Sequence, residues 1–255
     1  MDSCLRRNDE RGSWCAGTLQ HPFPISHFPF PIPVSASLFP HLARLAPPPS
    51  LWHHPPVNWL AHTFLSTPHV EFRLGNLLAD LVRGEERLSM SAEFQRGAAC
   101  HKAIDAFTDS HEIVRRSRAR ISDEYRRFSG VLMDVFYDYL LAKHWSEYSQ
   151  QPLTRFTTEF YAAVSVTNLS LPESARLTLE RIIRYDSLGS YRDVHGVDRA
   201  LRRISTYLTS RWRKPFALER SIPQLLDHEA DFSADFIEFF PQLQAHVSQW
   251  IAEHG

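Results

Sequence analysis

The distribution of proline is the feature that most restricts how this 255-residue chain can fold. Eleven of its 17 prolines lie between Pro22 and Pro56, and no acidic residue occurs between Glu10 and Glu71. Proline lacks a backbone N–H donor and clashes with the preceding turn, so such segments cannot form helix interiors. The sequence therefore predicts that residues 1–56 are a disordered or polyproline-like extension.

From Asn58 onward the pattern becomes typical of helices. Apolar residues recur at spacings of three and four, glycine is scarce, and no alternating run predicts a strand. Ser91 and Asp109 stand where helix N-caps are expected. We expect a single all-α domain over 57–255, with helices near 58–65, 72–83, 91–107, 110–128, 130–148, 154–167, 172–187, 193–209 and 222–251.

The composition argues against several classes of protein. A formal net charge of −1 gives no general attraction to nucleic acid or to a membrane surface. No apolar run approaches the roughly 18 residues of a transmembrane helix. The three cysteines, Cys4, Cys15 and Cys100, have neither metal-site spacing nor a disulfide framework, which predicts a reducing, cytoplasmic location. P-loop, dinucleotide-binding and serine-hydrolase motifs are also missing.

The stretch HKAIDAFTD concentrates possible metal ligands among apolar residues. His101 and Asp105 share one helical face, with about 6 Å between their Cβ atoms, and Asp109 follows near the same side. A carboxylate buried among apolar neighbours needs a cation or several donors. Imidazole and carboxylate both bind divalent metals. The alternative is a His–Asp pair at the solvated edge of a helix.

A second pair of acidic residues, Asp134 and Asp138, lies in GVLMDVFYDYLLAKHW. This segment is apolar around the whole helix, which predicts that it is buried. Two like charges on one buried face repel, and desolvation drives each of them to take up a proton. A shared metal ion, or a partner histidine or arginine, would remove both problems. Alternatively, one carboxylate caps a neighbouring helix or pairs with an arginine.

Three further residues give weaker signals. Asp80 follows an apolar run between Gly75 and Gly84, which can let the backbone approach a ligand closely. His62, in NWLAH, is by itself more typical of a core histidine than of a ligand. His228, which precedes a stripe of phenylalanines, suits a structural role as well as a ligand role.

Together these motifs resemble the acyl carrier protein phosphodiesterases, usually described as divergent relatives of the HD-type metal phosphohydrolases. The resemblance rests on NWLAH, GNLLADLVRG, HKAIDAFTD and LMDVFYDYLLAKHW, and more loosely on YRD and DHEADFSADFIEFFP, in family order over 58–245. It implies an HD-domain-like helical fold. It also implies Mn²⁺- or Mg²⁺-dependent hydrolysis of the phosphodiester that joins 4′-phosphopantetheine to a serine of acyl carrier protein.

The resemblance and the motifs together assign roles to individual residues. The expected metal ligands are His62, Asp80, His101, Asp105 and Asp138. The expected catalytic carboxylates are Asp80, Asp105 and Asp134, and the sequence does not separate a ligand from a general base. The expected substrate contacts are Arg83, Lys102, Tyr191 and Arg192. The residues expected to support the metal ligands without binding the metal are Asp109, His144 and His228. The family usually has arginine at the position of Lys102. Lysine keeps the positive charge but cannot form the bidentate contact to phosphate that arginine forms.

Two features outside these motifs bear on the partner and on the start of the chain. Between Arg181 and Arg220 there are ten Lys or Arg residues against four Asp or Glu, and Arg115, Arg116, Arg118 and Arg120 form a second basic cluster. Such a basic face would attract the acidic carrier protein, although solvated helix faces or another polyanion would also explain it. The family has no counterpart of 1–56, which suggests that translation begins at Val57.

Two other functions stay open from the sequence. One is a phosphohydrolase of the wider HD group that acts on a small-molecule or nucleotide phosphoester. The other is a non-catalytic helical binding module, in which the Asp–His network is purely structural.

Overall fold

The computed structural model describes residues 59–254, so the predicted extension 1–56 and the hypothetical start at Val57 lie outside the described residues. Within this range the chain is all-helical and contains no strand, which confirms the all-α prediction. Its helices are α1 (Trp59–Phe64), α2 (Val70–Leu78), α3 (Gly84–Leu88), α4 (Ala92–Ser110), α5 (Glu112–Ala119), α6 (Ser129–Lys143), α7 (Trp145–Tyr148), α8 (Leu153–Val166), α9 (Glu173–Arg184), α10 (Val194–Trp212), α11 (Ile222–Asp227) and α12 (Glu229–Glu253).

Several predicted helix boundaries were wrong. The helix expected over 110–128 ends at Ala119, and the one expected over 222–251 is interrupted at His228. Just after the second interruption, Glu229 in the first turn of α12 accepts hydrogen bonds from Tyr139 Oη at 2.7 Å and Lys143 Nζ at 2.6 Å. The short helix α3 was not predicted.

The two predicted N-caps have different outcomes. Ser91 caps α4 as expected, since its Oγ accepts a hydrogen bond from Phe94 N at 3.2 Å. Asp109 is not a cap, because α4 continues past it to Ser110. The N-cap of α5 is instead His111, and the α5 residue Ile113 donates its backbone N–H to the histidine Nδ1 at 3.3 Å.

Helices α2 and α4 cross with their backbones in contact. A Cβ atom added at Gly75 would lie 2.0 Å from Phe94 O, and one added at Gly97 would lie 2.0 Å from Phe72 O. Only glycine permits so close an approach. The expectation that Gly75 makes room for a ligand was therefore wrong, because it makes room for α4.

Helix α6 forms the centre of the core, as its apolar sequence predicts. It contacts α1, α5, α10 and α12, and Leu132, Phe136 and Leu140 are completely buried. The facing side of α12 contributes a stripe of buried rings: Phe232, Phe236, Phe239 and Phe240. This packing places α1 between α6 and α2, where the site residue His62 lies.

A buried carboxylate on α12 binds two of the four arginines of the second basic cluster. Asp235 accepts hydrogen bonds from Arg116 Nε at 2.7 Å, from Ser117 Oγ at 2.7 Å and from Arg120. Arg118 pairs with Asp109. These arginines therefore join α5 to its neighbours, and their charges are largely compensated within the fold. Within residues 59–254, no helix is long and apolar enough to cross a membrane.

Candidate metal centre

Helices α1 and α4 bring three predicted ligands together. Asp105 Oδ1 lies 3.3 Å from His62 Nε2, and Asp105 Oδ2 lies 3.1 Å from His101 Nε2. The two imidazole rings are stacked, with 4.1 Å between their centroids. The two ring atoms and one carboxylate oxygen lie within 4.8 Å of one another, close enough to bind one metal ion.

The α2 residue Asn76 orients both histidines. Its amide nitrogen donates to His62 O at 3.0 Å and to Ser66 Oγ at 2.9 Å, so its Oδ1 faces His62 Nδ1 as an acceptor, at 2.7 Å. The backbone carbonyl of Asn76 accepts from His101 Nδ1 at 2.8 Å. A neutral imidazole that donates through Nδ1 has a free lone pair on Nε2.

The two Nε2 atoms are the strongest indication of a bound cation. Among the described residues, His62 Nε2 and His101 Nε2 are buried and have no hydrogen-bond partner. Both face the carboxylate of Asp105, and a lone pair that faces an anion repels it unless a proton or a metal ion lies between them. The donor set of two imidazoles and one carboxylate therefore fits a divalent metal.

The pKa shifts of His62 and Asp105 favour the protonation states that bind metals, and that of His101 does not. Burial lowers the pKa of His62, and the nearby charge of His101 lowers it further. Burial also opposes the charged forms of His101 and Asp105, but their mutual contact outweighs it, so the pKa of His101 is raised and that of Asp105 falls well below its usual range. His62 is thus held neutral and Asp105 anionic, the states in which both bind metals, whereas the raised pKa of His101 means that a metal ion would have to displace a proton from it.

Two other predicted carboxylates lie beside this cluster. Asp80 Oδ2 is 3.8 Å from His101 Nε2, and Asp80 also pairs with Arg83 at 3.0 Å. Half-buried Asp134 projects from α6, and burial followed by repulsion from Asp105 raises its pKa well above the usual value. Asp80 is therefore next to a candidate metal ligand, and Asp134 is within the electrostatic reach of another.

A pocket of about 330 Å³ opens onto the cluster. The predicted substrate contacts Arg83 and Lys102 both line it, next to Asp80, His101 and Asp105. The pocket thus combines two acidic groups, one histidine and several cations, an arrangement suited to a metal ion and a phosphate group.

Sequence reasoning missed two residues of this region. Arg87 lines the pocket and donates to the backbone oxygens of Ala79 at 2.7 Å and Val82 at 2.9 Å. Asn76 is completely buried in α2. A polar residue inside the apolar run GNLLA was a detectable signal for Asn76, because buried amides need partners. The sequence around Arg87 is an ordinary charged segment.

Asp138 was predicted as a ligand, but in the structure both of its carboxylate oxygens have backbone partners. Its Oδ2 accepts from Leu60 N at 2.9 Å, and its Oδ1 accepts from Ala61 N at 2.8 Å. Both oxygens thus bind the N–H groups at the start of α1, which have no partner within that helix. The alternative role, a carboxylate that caps a neighbouring helix, is the one observed.

The substrate contacts predicted at Tyr191 and Arg192 do not line the pocket beside the metal cluster. Tyr191 is buried and accepts a hydrogen bond from Arg203. Arg192 is exposed and pairs with Asp186 at 3.2 Å. Neither residue therefore lines that pocket, although burial raises the pKa of Tyr191, and Asp138 and Asp134 on α6 lie close enough for their charges to raise it further.

The three residues predicted to support the site also have other partners. Asp109 is exposed and pairs with Arg118. His144 Nε2 lies 2.6 Å from Ser233 Oγ, between α6 and α12. His228 lies at the junction of α11 and α12. None of the three lines the pocket.

The fold and the site define an all-helical protein with a candidate metal centre of two histidines and one aspartate. A family model described as acyl carrier protein phosphodiesterase matches residues 57–243, so the chain belongs to the acyl carrier protein phosphodiesterase family.

Curated relatives carry the same name. The chain is 33% identical over 194 residues to acyl carrier protein phosphodiesterase from Pectobacterium atrosepticum, covering 73% of this chain and 95% of the relative. It is 32% identical over 197 residues to the protein of that name from Escherichia coli O157:H7, covering 76% and 98%. No solved structure matches the chain, so the HD-domain-like part of the fold stays a prediction.

Proposed function

We propose that this protein is a metal-dependent phosphodiesterase that acts on holo-acyl carrier protein. It hydrolyses the phosphodiester between 4′-phosphopantetheine and the carrier serine, which yields apo-carrier protein and free 4′-phosphopantetheine. The observation that carries the proposal is the pair of buried, unpartnered Nε2 atoms that face Asp105 in a chain of this family.

The metal would be Mn²⁺ or Mg²⁺, held by His62, His101 and Asp105, with Asp80 as the neighbouring carboxylate. Such an ion activates water and neutralises charge that develops at phosphorus. The protein supplies the geometry, because Asn76 keeps both Nε2 atoms directed at the same point. Residues that hydrogen-bond to metal ligands, as Asn76 does here, normally influence the affinity for the metal.

The residues around the metal ligands suit the remaining tasks. Arg83 and Lys102 line the pocket with positive charge and would bind the phosphodiester anion. Burial and the charge of Asp105 act on Asp134, and the raised pKa of Asp134 favours its protonated form, which suits a general acid that protonates the leaving serine oxygen. Asp105 keeps its negative charge and is the anionic ligand.

The carrier protein would dock on part of the basic face at 181–220. Arg192 is compensated by Asp186, and Arg202 is compensated by Asp198 and Glu219. The C-terminal end of α10 differs in that its positive charge is near the pocket. Arg211 lies close to Tyr207, and the charge of Arg83, which lines the pocket, also acts on Tyr207. Positive charge therefore runs from α10 to the pocket, where an acidic partner would be attracted.

A reducing cytoplasmic location agrees with this proposal, since acyl carrier protein is the implied partner and Cys100 is a buried free thiol. Neither a nucleic acid nor a membrane is required as a partner.

The decisive experiment follows the intact mass of holo-acyl carrier protein incubated with the full chain and Mn²⁺. We expect loss of the 4′-phosphopantetheine group, abolished by EDTA and reduced at least about 100-fold by Asp105→Asn, which removes an anionic ligand. Asp109→Asn is the matched control, because Asp109 is exposed and bound to Arg118; its activity should be unchanged. If the protein binds Mn²⁺ but leaves the carrier intact, the substrate is a smaller phosphoester and the proposal is wrong.

A further inference from the structure

A second pocket, also of about 330 Å³, lies where the loop after α9 meets α10. Its lining includes Ser187, Ser190, Tyr191, Arg199, Arg202 and Arg203, none of which lines the pocket at the metal cluster. Among its described lining residues there is no aspartate or glutamate. The pocket is therefore positively charged and separate from the proposed catalytic site.

The arginines of this second pocket differ in how far their charges are compensated. Arg202 donates to Asp198 at 2.7 Å and to Glu219 at 3.3 Å, so its charge is paired. Arg199 is exposed and forms no ion pair within residues 59–254. Arg203 has no carboxylate partner in that range either. Two of the three charges are thus available to a ligand.

Arg203 is held in a fixed position with one donor atom unused. Its Cζ lies 3.9 Å from the centroid of the Trp59 ring, and it donates a hydrogen bond to Tyr191. In the described part of the chain, its Nη2 is buried and has no hydrogen-bond partner. An unpaired buried guanidinium donor is costly, and an anion in the pocket would satisfy it.

We propose that this pocket is a binding site for a phosphate group, either of inorganic phosphate or of a small phosphomonoester. A buried donor can be reached only by a group that enters the pocket, which favours a small ligand over a carboxylate on a protein surface. Planar guanidinium groups match the oxygen geometry of phosphate. The exposed ring of Tyr185 at the pocket would contact the organic part of an ester. The proposal does not depend on hydrolase activity.

The test is calorimetric titration of the EDTA-treated full chain with inorganic phosphate and with phenyl phosphate, with NaCl at matched ionic strength as a reference. We expect saturable binding of both phosphates and none of chloride. Tighter binding of phenyl phosphate identifies a phosphomonoester as the preferred ligand, and equal binding identifies free phosphate. Absence of saturable binding by either would overturn the proposal.

Three variants locate the site. Arg203→Lys keeps the charge but loses the planar fork, and should weaken phosphate binding about tenfold. Arg199→Gln removes an exposed charge with little risk to folding, and should weaken binding several-fold. Arg115→Gln, at an exposed α5 arginine that likewise lacks an ion pair in the described range, is the matched control and should bind normally. If Arg83→Gln weakens binding while Arg199→Gln and Arg203→Lys do not, phosphate binds in the other pocket and the proposal is wrong.

Discussion

At the scale of single residues, Asn76 decides how the candidate metal centre is presented. Its side-chain oxygen holds the ring of His62, while its backbone oxygen holds the ring of His101. Both rings therefore direct Nε2 toward Asp105 without a metal ion being needed to orient them. Such preorganisation lowers the cost of ordering ligands when an ion binds.

Substituting Asn76 should weaken metal binding through one histidine only. Asn76→Ala removes the acceptor of His62 Nδ1 but keeps the backbone carbonyl that binds His101. We expect the affinity for Mn²⁺, measured by titration, to fall about 10- to 100-fold. Thr63→Ala is the control, because the buried hydroxyl of Thr63 on α1 binds the backbone oxygen of Trp59 and neither Asn76 nor a histidine ring. Equal Mn²⁺ affinity in Asn76→Ala and the parent would contradict the assigned role.

At the scale of helices, the contact between α2 and α4 positions Asn76 beside His101. Gly97→Ala would place a Cβ 2.0 Å from the backbone oxygen of Phe72, and two rigid helices would have to separate. We expect a loss of about 2 kcal/mol or more in the free energy of unfolding, measured with urea.

The matched control for that substitution is Gly130→Ala. A Cβ at Gly130 would lie 3.3 Å from the end of the Arg118 side chain, which can move. Alanine also favours a helix over glycine, by about 1 kcal/mol. Gly130→Ala should therefore be neutral or stabilising, and a similar loss in both variants would refute the close-packing argument.

Asp138 of α6, which caps the start of α1, should make the free energy of unfolding depend on pH. Burial raises the pKa of Asp138 from 3.8 to about 7, although the amides of Leu60 and Ala61 oppose the shift. The folded state then binds more protons than the unfolded state between these values, so this contribution to stability is present below about pH 4 and is lost as the pH rises through 7.

Asp138→Asn should remove that part of the pH dependence, because asparagine keeps an acceptor oxygen but does not titrate. The measurement is the free energy of unfolding between pH 5 and pH 8 for both proteins. We expect the parent to lose more stability than the variant over this range. Parallel curves would show that Asp138 titrates normally in the folded state.

At the scale of the whole molecule, the distribution of charge separates the arginines that are compensated within the fold from those that we propose for docking. The arginines of α5 are mostly bound to Asp235 and Asp109, whereas the end of α10 joins Arg211 to the Arg83 side of the pocket. A net charge near zero therefore conceals a local positive surface. Such a surface would steer an acidic partner by charge complementarity.

Arg211→Gln should raise KM for holo-acyl carrier protein several-fold and leave kcat nearly unchanged, because it affects docking more than hydrolysis. The effect should shrink as NaCl is raised, since salt screens exposed charges. Arg115→Gln, on α5, serves as the control and should keep the parent KM. Equal KM values for the two variants would exclude docking at the end of α10.

Local rules determined much of the protein from its sequence. The apolar periodicity indicated an all-helical chain and a buried α6, and the spacing of His101 and Asp105 placed them on one face of α4. The Ser91 cap was also predictable. These features depend on residues a few positions apart, so backbone geometry alone relates them.

Only the tertiary structure decided which polar residues share a site. Asp134 and Asp138 look alike in the sequence, yet α6 directs one toward Asp105 and the other toward the start of α1. Asn76 was not identified, because its partners lie on two other helices. Contacts between distant segments depend on how helices cross, and here that crossing follows from backbone contact at Gly75 and Gly97. Periodicity within a helix carries no information about such contacts.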